Sequence, residues 1–312
     1  MTGSEDSASA PAPGKKAAFV AVVGRPSVGK STLVNQICGQ KVAIVGASPQ
    51  TTRNAIRGIV NRDEGQLVFV DTPGRHNSEK KLNKKLLEVS NRAVDESDLV
   101  LYVLDASRSP GSEELAVAEL LAPLAPRTVA AVNKTDERGA DCGRSLEFLR
   151  RELPALAADR CFPVSAKKNE GLEPLLSCLY SLAGEGEAFY GAEYYTDQEV
   201  DFRVAEIIRE QAIKRLRQEL PHALYVDVAD TELRAGDGET PRLWVRAFIV
   251  VERESQKGMV VGKGGEMIKA IRLAAQKDLN RIFDWKVELD LRVKTGRDWR
   301  HSDAALRRLI ER

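Results

Sequence analysis

Cysteine is scarce in this chain. Its four residues, Cys38, Cys142, Cys161 and Cys178, are scattered through 312 positions with no C-x-x-C pair. That spacing argues against a disulfide framework or a thiolate zinc site, and reduced, mostly buried thiols of a cytosolic protein are expected. Long apolar runs are missing too; none approaches the ~18 residues of a membrane-spanning helix. The opening MTGSEDSASAPAPGKK has neither the apolar centre of a signal peptide nor the arginines of a transit peptide, and residues 1–16 read as a disordered tail. No internal repeat is visible.

Net charge is nearly absent, at +1, and so names no partner. Its distribution says more. Residues 241–312 hold 17 Lys and Arg against 10 Asp and Glu, so about +7 sits there and about −6 on the rest. A basic C-terminal quarter on an otherwise acidic chain hints at a polyanion partner; a solvated helical face is the plain alternative. The length itself suggests roughly two domains.

From residue 17 short apolar runs alternate with amphipathic stretches. AAFVAVVG, AIRGIV, LVFVDTPG, DLVLYVLDAS, TVAAVNKTD and CFPVSAK read as strands, with helices over 31–38, 80–96, 112–121 and 146–153. Val- and Ile-rich strands with helices between them mean a mainly parallel sheet covered on both faces. Ligands of such sheets sit at the strands' C-terminal ends.

Motifs stand at those ends. GRPSVGKST, residues 24–32, fits G-x-x-x-x-G-K-[ST] between a strand and a helix. Gly24 and Gly29 let the loop through Arg25, Pro26, Ser27 and Val28 turn its backbone N–H groups, of which Pro26 has none, around phosphates. Lys30 reaches the outer phosphates, Ser31 offers a hydroxyl to Mg²⁺, and Thr32 follows in the helix's first turn. In DTPG, Asp71 is placed to hold Mg²⁺ through water, with Thr72 and Pro73 leading to Gly74, whose amide could sense the γ-phosphate. In NKTD, Asp136 can accept from guanine N1–H and N2–H₂, Lys134 can pack along the base, and Asn133 can tie this loop to the phosphate loop. The amides of Ser165, Ala166 and Lys167 in SAK can donate to guanine O6. Any one of these strings alone reads as a strand-end turn. In order, each after its own strand, they mark a guanine-nucleotide domain. QTTRN, residues 50–54, lies where a mobile switch would sit, and Thr52, rather than Thr51, is expected to complete the Mg²⁺ shell.

Glycines, acids and tyrosines over 183–198 break the rhythm and read as a domain join. A helix (200–220), two strands (223–230 and 242–252), a helix (265–283), a strand (285–294) and a last helix from Ser302 follow, a small α+β unit. Within it VVGKGGEMIK, preceded by Gly258 and Met259, resembles a phosphate loop, but only three residues, not four, separate Gly258 from Gly262, and Gly264 stands where Ser or Thr should. Gly262, Lys263, Gly264 and Gly265 instead fit the GXXG loop that clamps about four nucleotides of single-stranded RNA, with Lys269 and Arg272 on the helix behind it. Val260, Val261, Met267, Ile268 and Ile271 read as core before base-stacking surface.

With QTTR, DTPG, NKTD and SAK placed, the first domain resembles the translation-factor-like class of bacterial GTPases. ERESQKGMVVGKGGEMIKAIRLAAQKDL, with ELPHALYVDV and WVRAFIVVERE upstream, resembles the KH domain of the Era family. The resemblance runs from Ala17 to about Leu309. It implies an α/β P-loop GTPase domain with a mainly parallel sheet (17–184), a join (185–200) and an α+β type II KH domain (201–312). It further implies GTP and GDP as ligands with Mg²⁺, slow hydrolysis of GTP to GDP and phosphate, and binding of the 3′ end of small-subunit (16S-type) ribosomal RNA. Assistance to 30S maturation, GTP favouring the RNA-competent arrangement, and a monomer in the cytoplasm complete the expectation. Two departures stand out. Ser27 replaces the Asn that helps many relatives hold K⁺, so a weak K⁺ response is expected. Arg75 follows DTPG where relatives usually carry an apolar residue, and His76 reads as surface, so no residue is named that orients water.

Two further readings stay open: a GTP-dependent RNA-binding module with negligible hydrolysis, and a GTPase peripheral at the inner face of the cell membrane. No amphipathic helix with a Trp/Leu stripe supports the second.

Guanine selectivity rests on Asp136. Adenine would set its N1 acceptor against that carboxylate, so GTP should be preferred over ATP on the order of 10⁴-fold or more. Asp136→Asn should move the preference toward xanthine nucleotides, read by competition binding with GTP, XTP and ATP. Equal wild-type affinity for ATP and GTP would refute the assignment.

Overall fold

The computed structural model describes residues 14–46, 51–74, 81–217, 220–235, 241–297, 299–300, 306 and 309. Most of the expected tail, Gln50, Arg75, His76 and most of the helix expected from Ser302 lie outside them.

The first domain is a sheet in the order β2-β3-β1-β4-β5-β6. Its strands are β1 (Lys16–Val23), β2 (Ile56–Arg62), β3 (Gly65–Asp71), β4 (Leu99–Asp105), β5 (Thr128–Asn133) and β6 (Cys161–Pro163). Only the β2–β3 pair is antiparallel along this path. The runs are continuously apolar because helices cover both faces: every residue of LVLYVLD in β4 is buried. One face packs α1 (Lys30–Cys38) and α5 (Leu172–Leu182) against Val20, Val22, Phe69 and Leu101. The other packs α3 (Ser112–Leu121) and α4 (Cys142–Glu152) against Ala21, Tyr102, Leu104 and Val132. Helix α2 (Lys81–Asp95) follows the DTPG loop. The four cysteines are free and half-buried rather than buried, and burial pushes the Cys38 thiol up to about 12.

The second domain holds α6 (Val200–Arg215), β8 (Leu224–Arg234), β9 (Arg242–Val251), α7 (Glu254–Val261), α8 (Glu266–Ile282) and β10 (Lys286–Thr295). Strand β9 is central, antiparallel to β8 and parallel to β10. Val204, Ile207 and Ile208 of α6 and Ile271, Ala275 and Leu279 of α8 bury against one sheet face. Helix α7 is not expected from the sequence, because Gly258 and the Val260-Val261 pair are weak helix formers. It forms because Gln256 Oε1 caps its start, accepting from the amides of Glu252 (3.0 Å) and Arg253 (2.9 Å), and because Val260 is fully buried.

The join does not hang free. Its first residues form β7 (Gly184–Glu185), antiparallel to β1 at Lys16 and Ala17. Beyond it the chain runs along the first domain's sheet. Gln66, 1% exposed, accepts from the amides of Phe189 (2.8 Å) and Tyr190 (3.0 Å) and donates to the Tyr190 carbonyl (2.9 Å). Ile59 N donates to Tyr195 O at 2.9 Å, and Thr196 Oγ1 to Arg57 O at 2.8 Å. Helix α6 then docks through Glu210, 2% exposed, whose carboxylate accepts from Val45 N at 3.0 Å and pairs with Lys41.

Gln66→Leu should release this strap, since three strap backbone groups lose their buried partner. Stability should fall by about 2–3 kcal/mol in urea titration. Chymotrypsin should then cut at Phe189, already 47% exposed, faster than in wild type. Unchanged melting and cleavage would show that the strap does not depend on Gln66.

Candidate nucleotide site and nucleic-acid loop

The C-terminal ends of β1, β3, β4, β5 and β6 meet at one edge of the first sheet, and the expected motifs meet with them. Lys30 opens α1 directly after Gly29, whose φ of 100° is left-handed. A Cβ at Gly29 would lie 2.4 Å from Asn133 Nδ2, so only glycine lets the two loops close up. Asn133 itself, 2% exposed, donates from Nδ2 to Val28 O (2.9 Å) and accepts on Oδ1 from Ala166 N (3.0 Å). One carboxamide therefore joins the phosphate loop, NKTD and SAK.

At the phosphate end three oxygens converge. Asp71 Oδ2 accepts from Ser31 Oγ at 2.6 Å and from Thr52 Oγ1 at 3.2 Å, and the two hydroxyls lie 2.9 Å apart. Asp71 is fully buried and its other oxygen, Oδ1, has no hydrogen-bond partner. Burial pushes the Asp71 carboxyl up, with Lys30 and the two hydroxyls opposing. A buried carboxylate with an orphaned oxygen beside two hydroxyls fits a hard divalent cation, so Ser31, Thr52 and Asp71 could hold Mg²⁺. Thr51 turns away, its carbonyl accepting from Arg209 of α6. Thr72 is buried, its hydroxyl donating to Val22 O at 2.7 Å, and Gly74 lies directly against the Pro26 backbone. Thr32 is half-buried on α1, and Ser27 is exposed with φ 63°.

At the base end Asp136 Oδ1 accepts from Ser165 Oγ at 2.6 Å, and this bond holds its carboxyl below the usual range. Lys134, with φ 66°, reaches Asp105 Oδ2 at 2.8 Å. Lys167 is exposed. The Arg25 guanidinium is buried and binds Glu114 of α3 and Asp105 (3.2 Å). The sequence reading missed Asp105 and Glu114. Asp105 stands at the end of β4 as Asn133 does at the end of β5, and that position was the available signal.

In the second domain Gly262 ends α7 with φ 75°, Lys263–Gly265 form a single turn, and α8 begins at Glu266. A Cβ on Gly262 would come within 2.7 Å of Met267 Cβ. Lys263 and Gly264 are exposed at the tip, with Lys269 exposed and Arg272 half-buried behind them. Val260 and Ile271 are core, whereas Val261, Met267 and Ile268 are half-buried. Two apolar residues on the helices either side of the loop are exposed: Met259 of α7 at 56% and Leu273 of α8 at 49%.

The chain matches two family models: a 50S ribosome-binding GTPase over residues 19–134 and a KH domain over 219–300. It is 50% identical to GTPase Era of Treponema denticola, over 93% of this chain and 98% of that protein. It is 41% identical to GTPase Era of Borreliella burgdorferi, over 95% and 99%. Two solved structures superpose with a TM-score of 0.88 at 31% identity, covering 95% of this chain and 98% of theirs. One is an Aquifex aeolicus Era variant bound to GDP and AlF₄⁻; the other is Era with MgGDPNP and nucleotides 1506–1542 of 16S ribosomal RNA.

Burial, with Arg25 adding and Asp71 opposing, lowers the Lys30 ammonium to about 8. A bound phosphate favours the charged form, so nucleotide binding should take up a proton above that pH. Affinity for GDP should hold below about pH 7 and fall roughly tenfold between pH 7 and 9. Calorimetry at pH 8.5 in two buffers of different ionisation enthalpy should read the proton uptake; no uptake would contradict the assignment.

Proposed function

Because the chain belongs to the Era family of GTPases, we propose that it is a GTP-hydrolysing switch that binds single-stranded 16S-type ribosomal RNA near its 3′ end and assists 30S subunit maturation in the cytoplasm. The observation that carries this reading is the presence, in separate domains, of two phosphate grips of different design. One is a walled cleft. The other is a bare glycine turn beside exposed cations.

In the cleft, the phosphate-loop amides and Lys30 hold the phosphates, and Asn133 fixes the loops relative to one another. Asp136 accepts from guanine, and the SAK amides donate to it. Ser31, Thr52 and Asp71 would hold Mg²⁺, which when bound would supply charge screening to the phosphates. Thr52 is the element that distinguishes GTP from GDP, since its hydroxyl reaches the metal shell only with the switch segment folded inward. At the RNA end, Gly262–Gly265 admit the sugar-phosphate chain to close range, Lys263, Lys269 and Arg272 neutralise its phosphates, and Met259 and Leu273 offer apolar surface to bases. The 31% identity to a chain solved with both MgGDPNP and 16S ribosomal RNA supports placing both activities on one molecule. Phosphate release measured with and without that RNA separates a hydrolysing switch from a module in which only occupancy matters.

Lys263→Asp combined with Gly264→Asp should weaken RNA binding by about 100-fold or more and leave GTP affinity within about twofold. A Cβ at Gly264 meets open space, and aspartate tolerates its φ of 60°, so the variant should fold. Wild-type RNA affinity should fall by roughly 0.7 log units per log unit of salt for each phosphate neutralised, and Lys263→Ala should remove about one such contact. A double variant that lost GTP and kept RNA would overturn the two-site reading.

A further inference from the structure

Behind the switch segment, between residues 53–54 and α6, lies a cavity of about 30 Å³. That is room for a water molecule or a monatomic ion. Asn54 and Arg209, which line it, are 4% and 2% exposed. Asn54 Nδ2 and Arg209 Nη1 are buried without a hydrogen-bond partner. Both are donors. The lining acid, Glu206, already accepts from Arg209 Nε at 2.7 Å and Nη2 at 2.6 Å. A second guanidinium, that of Arg53, lines the same space; it donates to Leu224 O at 2.9 Å and lies over Trp299. Arg53 and Arg209 are 6% and 2% exposed, so two buried cations share this lining with one carboxylate.

We infer that this cavity is a binding site for a single monatomic anion, chloride by size and charge, held by Asn54 Nδ2 and Arg209 Nη1 at the joint between the two domains. A water oxygen could accept from both donors. A neutral water would leave the buried guanidinium charge unbalanced. An anion satisfies both donors and offsets buried positive charge in one step. The site is composite: Asn54 belongs to the segment carrying Thr52, and Arg209 belongs to α6. The ion therefore favours the arrangement in which that segment rests on the second domain, a consequence independent of which nucleotide or RNA the protein binds.

The test uses the full chain in sodium chloride, sodium bromide and sodium glutamate at equal ionic strength. Chloride and bromide should raise the melting temperature saturably, by about 4–8 °C at a hundredfold excess over Kd, with glutamate giving no saturable rise. Crystals soaked in bromide should give an anomalous peak in contact with Asn54 and Arg209. Asn54→Asp supplies a fixed negative charge in the same place, so it should abolish the halide response and melt in glutamate at least as high as wild type does in saturating chloride. Equal melting curves in all three salts, or a water in place of bromide, would overturn the inference. A bromide peak with no saturable stabilisation would also overturn it, marking an adventitious ion.

Discussion

One side-chain amide fixes the geometry of the nucleotide end. Asn133 is buried between Val28 O and Ala166 N, and its two hydrogen bonds set the distance from the phosphate loop to the base-reading loops. Parallel strands place their C-terminal ends only to within the slack of the loops they carry. The carboxamide removes that slack, because an unmade bond at a buried site would leave a donor and an acceptor both orphaned. The close approach at Gly29 follows from the same constraint, since any side chain there would occupy the space of Asn133 Nδ2. Asp105 repeats the device one strand over, bridging Arg25 of the phosphate loop and Lys134 of the base loop through a single buried carboxylate.

The second domain is built onto this frame. Thr52 faces Ser31 and Asp71, yet its neighbours face the other way: the Thr51 carbonyl accepts from Arg209, and Arg53 donates to the Leu224 carbonyl at the start of β8. The segment that senses the phosphate end is thus held through its backbone and its arginine by elements of the second domain. The strap along Gln66 fixes where α6 begins, and Glu210 fixes where it docks. A shift of Thr52 away from Ser31 and Asp71 must therefore break, carry or bend contacts on α6 and β8. Packed interfaces respond to such shifts by changing between discrete arrangements rather than by stretching.

The order of the strands, the motif at the end of each and the glycine loop of the second domain were legible in the sequence, because each is a local requirement written in consecutive residues. Thr52 was separable from Thr51 by its place next to Arg53. Helix α7 was not legible: its stability comes from one buried valine and a side-chain cap, neither of which produces a helical apolar period. Asp105 and Glu114 looked like ordinary acids, because their partner Arg25 is 80 and 89 residues away. The docking of the join was hidden for the same reason, since Gln66 and Tyr190 lie 124 positions apart. A glycine- and acid-rich string carries no mark of the surface it will lie on. Met259 and Leu273 were passed over because apolar residues beside a helix are usually core, and only the fold decides which ones turn outward.

Two glycine loops of this chain have a backbone open enough to approach a phosphate, and their surroundings differ. At Gly29 the close neighbour is Asn133, part of a wall that continues to Asp136 and closes the site around one base. Lys30 is buried there and its ammonium is lowered to about 8, a state that favours a bound anion over water as its partner. At Gly262 the close neighbour is Met267 on the helix that follows, and Lys263 beside it is exposed. An exposed lysine gains from phosphate mainly by releasing counterions, an interaction that any stretch of nucleic acid can make. Burial therefore separates the two loops more sharply than sequence does: the enclosed lysine suits one small polyphosphate, and the exposed one suits a chain that continues past it in both directions.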